Sequence, residues 1–150
     1  MKQPLVVPHD PSAALRVLGA DVRFPCEAEH TATAFSLMEV LLPLGAGPPP
    51  HHHDWDEAYY VADGRVRFLL GDTVHEIGAG DFIYAPGGTV HGFSGLSDPP
   101  ARVLILDAPA HAAGFFREAH QAVRQPEDGP LVPKIGLRHG IHFLPPAAPR

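Results

Sequence analysis

The chain has 150 residues, 19% of them charged and 45% hydrophobic, with a formal charge of −6. This is enough length for one domain with a real core, and the composition is not that of a disordered chain. The acidic balance, without any basic cluster, argues against a nucleic-acid surface, and no segment approaches the roughly 20 apolar residues of a membrane span.

Residues 1–12 read as an irregular arm whose apolar run is too short for a signal peptide, so the cytoplasm is the expected location. Leu15 to Phe24 and Thr33 to Leu42 read as strands. Pro48, Pro49 and Pro50 hold the following approach extended, because proline fixes its own φ and keeps its predecessor out of the helical region. Glu57 to Val61 continues as a strand. Arg65–Leu70 and Thr73–Ile77 flank Gly71-Asp72, a two-residue hairpin signal. In the first arm Val66, Phe68 and Leu70 share a face, while Arg65 and Arg67 take the other. Phe82–Ala85, Thr89–Phe93 and Ala101–Leu106 complete a set of closely spaced antiparallel strands, which predicts a β-sandwich or jelly-roll barrel.

Beyond the strands the period changes. Asp107 is suited to cap a helix with Pro109 in its first turn, and Phe115, Phe116, Ala119 and Val123 recur at helical spacing. Gln125 and Pro126 end that helix. Pro130, Pro133 and two glycines keep any helix before Arg138 short, and Ile141–Leu144 suggests an edge strand. The division expected is an arm at 1–12, a barrel at 13–109, a helical and edge segment at 110–144, and a tail at 145–150.

Chemistry concentrates in two stretches. In the first, His51 and His53 are two residues apart, so an extended segment aims both to one face, with His52 on the other. Glu57 keeps the same parity. In the second, Pro86, Gly87 and Gly88 make a turn that returns the chain so that His91 faces the earlier group. Three imidazoles and one carboxylate suit iron, nickel, copper, zinc or manganese. The other seven histidines lie outside these stretches. Cys26 is the lone cysteine, which excludes an intrachain disulfide.

The two stretches resemble the two motifs of the cupin superfamily. Gly45, His51, His53, Glu57 and Gly64 match every fixed position of the first motif: glycine, five residues, HxH, three or four residues, Glu, six residues, glycine. Gly80, Pro86, Gly88 and His91 match the second, but Gly95 stands where that motif ends on asparagine. The group resembled is the small single-domain bacterial cupins often described as quercetin-dioxygenase-like. The resemblance implies a mainly β, double-stranded β-helix (jelly-roll) barrel with a short C-terminal helical segment. It also implies one divalent transition metal per chain on His51, His53, Glu57 and His91, and pairing of chains as a homodimer.

Parity adds Tyr59 and Val61 to the cavity face beside Glu57, and Phe93 beside His91. Trp55 falls between the ligands near the mouth, and Tyr84, Phe82, Met38 and Phe35 are further lining candidates. The activity implied by resemblance is a metal-dependent dioxygenase of a small aromatic or enolisable compound (flavonol-, catechol- or diketone-like), with Glu57 as general base. A non-oxidative isomerase, epimerase or lyase, and a non-enzymatic small-molecule binder, use the same four residues.

Overall fold

A computed structural model describes residues 2–145. Eleven strands and two helices follow one another in it: β1 (Leu15–Val17), β2 (Ala20–Cys26), β3 (Ser36–Leu42), β4 (His51–His52), β5 (Asp56–Asp63), β6 (Arg65–Leu70), β7 (Thr73–Gly78), β8 (Phe82–Ala85), β9 (His91–Gly95), β10 (Ala101–Ala108), α1 (Ala113–Ala122), α2 (Leu131–Arg138) and β11 (His142–Phe143). A six-stranded sheet runs β1-β2-β3-β10-β5-β8, and a five-stranded sheet runs β11-β4-β9-β6-β7. Every strand pair is antiparallel. Two such sheets, facing each other across one apolar interior, are the jelly-roll expected from the strand spacing.

Alternation decides which side chains enter that interior. In β10, Val103, Ile105 and Asp107 are buried while Arg102 and Leu106 are exposed. In β5, Glu57, Tyr59 and Val61 point in, opposite Asp107, Ile105 and Val103. In β6, Val66 and Phe68 point in, and Arg65 and Arg67 stay exposed, as their parity predicts. The β6–β7 hairpin turns at Gly71, whose φ of +64° is open to glycine at little steric cost.

Several local expectations are corrected. The predicted strand from Leu15 to Phe24 is two strands, joined by a tight turn at Leu18 (φ 53°) and Gly19 (φ 80°). Two left-handed residues make the hairpin geometry that fits strand twist; leucine is rarely found there, so the sequence carried no turn signal. The next strand starts at Ser36, not Thr33, because Ala32 and Thr33 are left-handed and Thr31 Oγ1 both donates to the Phe35 carbonyl and accepts from its N–H. The strand containing His91 starts there and ends at Gly95, two residues later than expected.

Asp107 does not start a helix. It is the penultimate residue of β10 and fully buried, and its carboxylate accepts the N–H groups of His111 and Ala112 and the Ser36 hydroxyl. It thereby anchors the turn before α1, in which Pro109 sits. In α1, Phe115 and Ala119 are buried. Pro133 lies in the first turn of α2, where a missing N–H costs little. α1 packs on β1 and α2 on β11, so the two helices lie at outer strands of different sheets. Residues 146–150 of the expected tail, and Met1 of the arm, lie outside the described residues. No helix among the described residues is long and apolar enough to cross a membrane.

Candidate metal centre

The three histidines are positioned by backbone pairing. His51 on β4 is directly opposite His91 on β9, and His53 comes next on the same side of the chain. His51, His91 and His53 are all buried, at 7%, 1% and 2% exposure respectively. Their side-chain ligand atoms lie within 4.8 Å of one another. Nitrogens sharing one ion at about 2.1 Å span at most about 4.2 Å, so small rotations bring this set onto a single cation.

Each ring is held by a backbone carbonyl two residues away. His51 Nδ1 donates to the Pro49 carbonyl (2.8 Å), His53 Nδ1 to the Trp55 carbonyl (3.0 Å) and His91 Nδ1 to the Thr89 carbonyl (2.9 Å). A carbonyl only accepts, so Nδ1 carries the proton in all three rings. The lone pair is then left on Nε2, the tautomer a metal ligand needs. The Nε2 atoms of His53 and His91 are buried without a hydrogen-bond partner. Unpaired buried acceptors are costly, and a cation satisfies them.

Glu57 stands beside this trio. Its Oε1 is 2.6 Å from His53 Nε2, but not along a ring N–H direction. Two lone-pair atoms this close require a shared proton or a cation. Tyr59, two residues on and almost fully buried, donates its hydroxyl to Glu57 Oε2 at 2.5 Å. Burial alone would raise the Glu57 carboxyl; the facing His53 and His91 and the Tyr59 hydroxyl outweigh it and hold it at about 2. Burial, then the neighbouring His91, pushes His51 down to about 4. Burial likewise lowers His91. Burial, reinforced by the Glu57 charge, raises Tyr59 well above its usual range. At neutral pH the group is therefore neutral His51 and His91, ionised Glu57 and protonated Tyr59. This donor set fits a divalent metal, which would replace the proton otherwise shared between Glu57 and His53.

Around the site the structure sorts the predicted lining residues. Met38, Trp55 and Phe93 line an apolar cavity that also contains His51, His53 and Glu57. Trp55 stacks flat on the His53 ring, with centroids 3.9 Å apart at 6°. Tyr59 and Val61 are buried in the interior without lining that cavity. Phe35, Phe82 and Tyr84 are corrections: they are 38%, 63% and 51% exposed. In β8 the inward positions belong to Ile83 and Ala85, so Phe82 and Tyr84 face out. Phe35 precedes β3, whose inward alternation begins at Ser36.

Sequence reasoning missed the far wall of the cavity. Phe115 and Phe116 of α1 and Ile141 and Phe143 beside β11 line it, and the Phe143 ring lies 5.2 Å from that of His51. Their apolar spacing was legible, but which side of the barrel the helices cover depends on long-range packing.

Residues 38–107 match a family model described as a cupin domain. Among curated proteins the chain is similar to dimethylsulfoniopropionate lyase DddQ of Ruegeria pomeroyi, at 30% identity over 98 residues, covering 59% of this chain and 48% of that protein. The chain thus spans about half the length of this curated relative. Among solved structures the chain resembles KdgF from Halomonas sp., at 26% identity with a TM-score of 0.55, covering 61% of this chain and 79% of that one. It also resembles the polyketide cyclase RemF from Streptomyces resistomycificus, at 20% identity with a TM-score of 0.57 over 83% and 97% of the two chains, a likeness of fold alone. The family match over residues 38–107 and these structural neighbours agree with the two-sheet jelly-roll fold described above.

Proposed function

We propose that this protein is a metal-dependent cupin enzyme in which Glu57 takes a proton from a small organic substrate while Tyr59 holds the carboxylate in place. The observation that carries this reading is the buried Tyr59–Glu57 hydrogen bond set against three imidazoles in the metal-ligand tautomer. A divalent transition metal on His51, His53 and His91, with Glu57 as a further ligand or beside them, would supply Lewis acidity toward a substrate oxygen.

The protein's own groups do the rest. Glu57 is ionised over the physiological range, and Tyr59 remains a donor to Oε2. Oε1 is then the proton acceptor. A substrate C–H bond beside a carbonyl breaks, its proton goes to Oε1, and its electron pair moves toward the carbonyl oxygen. Glu57 can return the proton at a second carbon, which is an isomerisation. Alternatively, a group on the neighbouring carbon departs with its bonding electrons, which is a lyase reaction. Similarity to a protein named as a lyase supports this non-oxidative outcome.

The second reading is the dioxygenase of a small aromatic or enolisable substrate implied by the sequence motifs. Both reactions begin with the same deprotonation, so the test must separate their later steps. Full-length protein loaded in turn with iron, nickel, manganese or zinc is given α-deuterated carbonyl substrates, with and without oxygen. Loss of deuterium to water in the absence of oxygen, abolished in Glu57→Gln, is the expected result. Oxygen uptake matched to substrate loss, with no anaerobic exchange, would favour the dioxygenase instead.

A further inference from the structure

The metal-facing cavity is too small for an organic substrate as it stands. It holds about 50 Å³, room for water-sized groups and little more, whereas ligand pockets commonly reach about 300 Å³ or more. A surface cleft of about 220 Å³ lies beside it, lined by Asp54, Trp55, Pro109, His111 and Gly140. Among the described residues Trp55 alone lines both spaces. His111 faces the cleft and Ala112 the cavity, and Gly140 and Ile141 divide in the same way. The partition is therefore one indole ring set between two stretches of backbone.

A second wall faces a groove beside Pro49 and consists of Gly47, Pro48 and Phe93. That wall is held by backbone. Phe93 pairs with Phe68 in the sheet, and its N–H donates to the Pro48 carbonyl. A Cβ at Gly47 would lie 2.1 Å from the Phe93 carbonyl oxygen. Opening it means parting strands.

The Trp55 wall is different. The chain around it is clamped: Gly88 N–H donates to the His53 carbonyl, Gly87 N–H donates to Asp56 Oδ1, and Asp107 holds the N–H groups of His111 and Ala112. The indole itself is held by packing, flat on the His53 ring and with its centroid 4.5 Å from that of His111. Its N–H is buried with no partner among the described residues, a cost to the closed position that a turn toward the cleft and water removes. Gly140 has no side chain to fill the space beside the ring, where a Cβ would lie 3.6 Å from Cζ3.

We propose that Trp55 is a specificity-determining gate: its indole turns into the cleft to admit substrate, joins cleft and cavity into one site, and turns back when the site is empty. This deepens the metal-dependent reading of the same site and rests on it. Ligands of a few atoms bind with the ring closed, and bulkier ones bind only with the ring displaced.

Two measurements test this. In the metal-free, isotope-labelled protein the single tryptophan gives one indole N–H signal. Its exchange with deuterium should be insensitive to low urea, because ring rotation exposes little surface, while amides of the core strands exchange faster as urea rises. An indole whose exchange climbs with urea as steeply as those amides opens only by unfolding, and that overturns the inference.

The second measurement titrates the cobalt-loaded protein with formate and with pivalate, which share a carboxylate and differ in bulk, following the cobalt absorption and the Trp55 emission. Both should bind, but only pivalate should shift the emission to the red. A minor open state of about 0.1–10% makes removal of the ring worth at least about tenfold in pivalate affinity. Trp55→Ala should show that gain, Trp55→Phe a smaller gain of the same sign, and formate affinity should stay nearly constant, with each fold checked by its thermal transition. Pivalate that fails to bind the parent, binds it without an emission shift, or gains as much in Pro48→Ala as in Trp55→Ala overturns the gate. Protein that takes up no cobalt would instead sink the metal-dependent reading, with the exchange measurement still deciding whether the ring turns.

Discussion

His51 and His91 face each other across the β4–β9 pair, with ring centroids 4.3 Å apart. Antiparallel pairing, not loop geometry, sets their separation, and directly opposed residues in such a pair have neighbouring side chains. Replacing either by alanine should lower divalent-metal affinity by at least about a hundredfold, since ligands matter more than the outer partners whose loss already costs roughly 10–100-fold. Chelator competition and then elemental analysis measure this. Metal content unchanged in both variants would remove the site.

Tyr59→Phe separates the carboxylate from its donor. Without the hydroxyl, Glu57 Oε2 is left buried and unpaired, so its pKa should rise and the acid limb of the activity profile should move upward in pH. Stability should fall by about 1–2 kcal/mol. An unshifted limb with the same loss of stability would make Tyr59 structural only.

Metal-free protein should lose stability in acid in two overlapping stages. His51 titrates near 6.5 when unfolded and at about 4 when folded. The unfolded chain therefore binds more protons between those values, and stability falls as pH drops through that window. Glu57, at about 2 folded against 4.5 unfolded, continues the loss below pH 4.5. Urea titrations of the chelated protein from about pH 7.5 to about pH 3 would show this decline; a constant midpoint would contradict it.

Trp55 is the chain's single tryptophan, and it stacks on a ligand ring. Adding nickel or copper should therefore change its emission in proportion to occupancy, with an endpoint near one ion per chain. His53→Ala should abolish the response while leaving a folded spectrum. A signal that persists in that variant would place the ion elsewhere.

Gly95 stands where the second cupin motif has asparagine, and the structure supplies a reason. A Cβ there would lie 2.2 Å from the Pro43 carbonyl oxygen and 2.6 Å from that of Leu42, because Gly95 exchanges backbone hydrogen bonds with Gly45 and Ala46. Gly95→Asn should thus not improve the fold but cost about 2–4 kcal/mol by forcing the backbones apart. A thermal transition equal to that of the parent would refute this close approach.

The two-sheet barrel and the inward aim of His51, His53, Glu57 and His91 were legible because a period of two carries both. Phe93 came from the same parity. Phe82 and Tyr84 were not legible: nothing local says which face of a short strand is inner, and two aromatic residues at the outward positions invert the usual cue. Leu18 hid a turn for the opposite reason, a bulky residue in a left-handed conformation that sequence patterns assign to glycine or asparagine. The far wall of the cavity depends on where α1 and β11 dock, information spread over contacts between residues far apart in the chain.

The three prolines before His51 have a thermodynamic consequence for the ion. Pro49 supplies the carbonyl that orients the His51 ring, and a Cβ added at Gly92 would crowd the neighbouring Pro50 backbone at 3.0–3.1 Å. The segment therefore has little freedom left to surrender when a cation arrives. Its ordering entropy is lost during folding, so metal capture should show a small entropic penalty and a rate set by desolvation of the ion, not by loop closure.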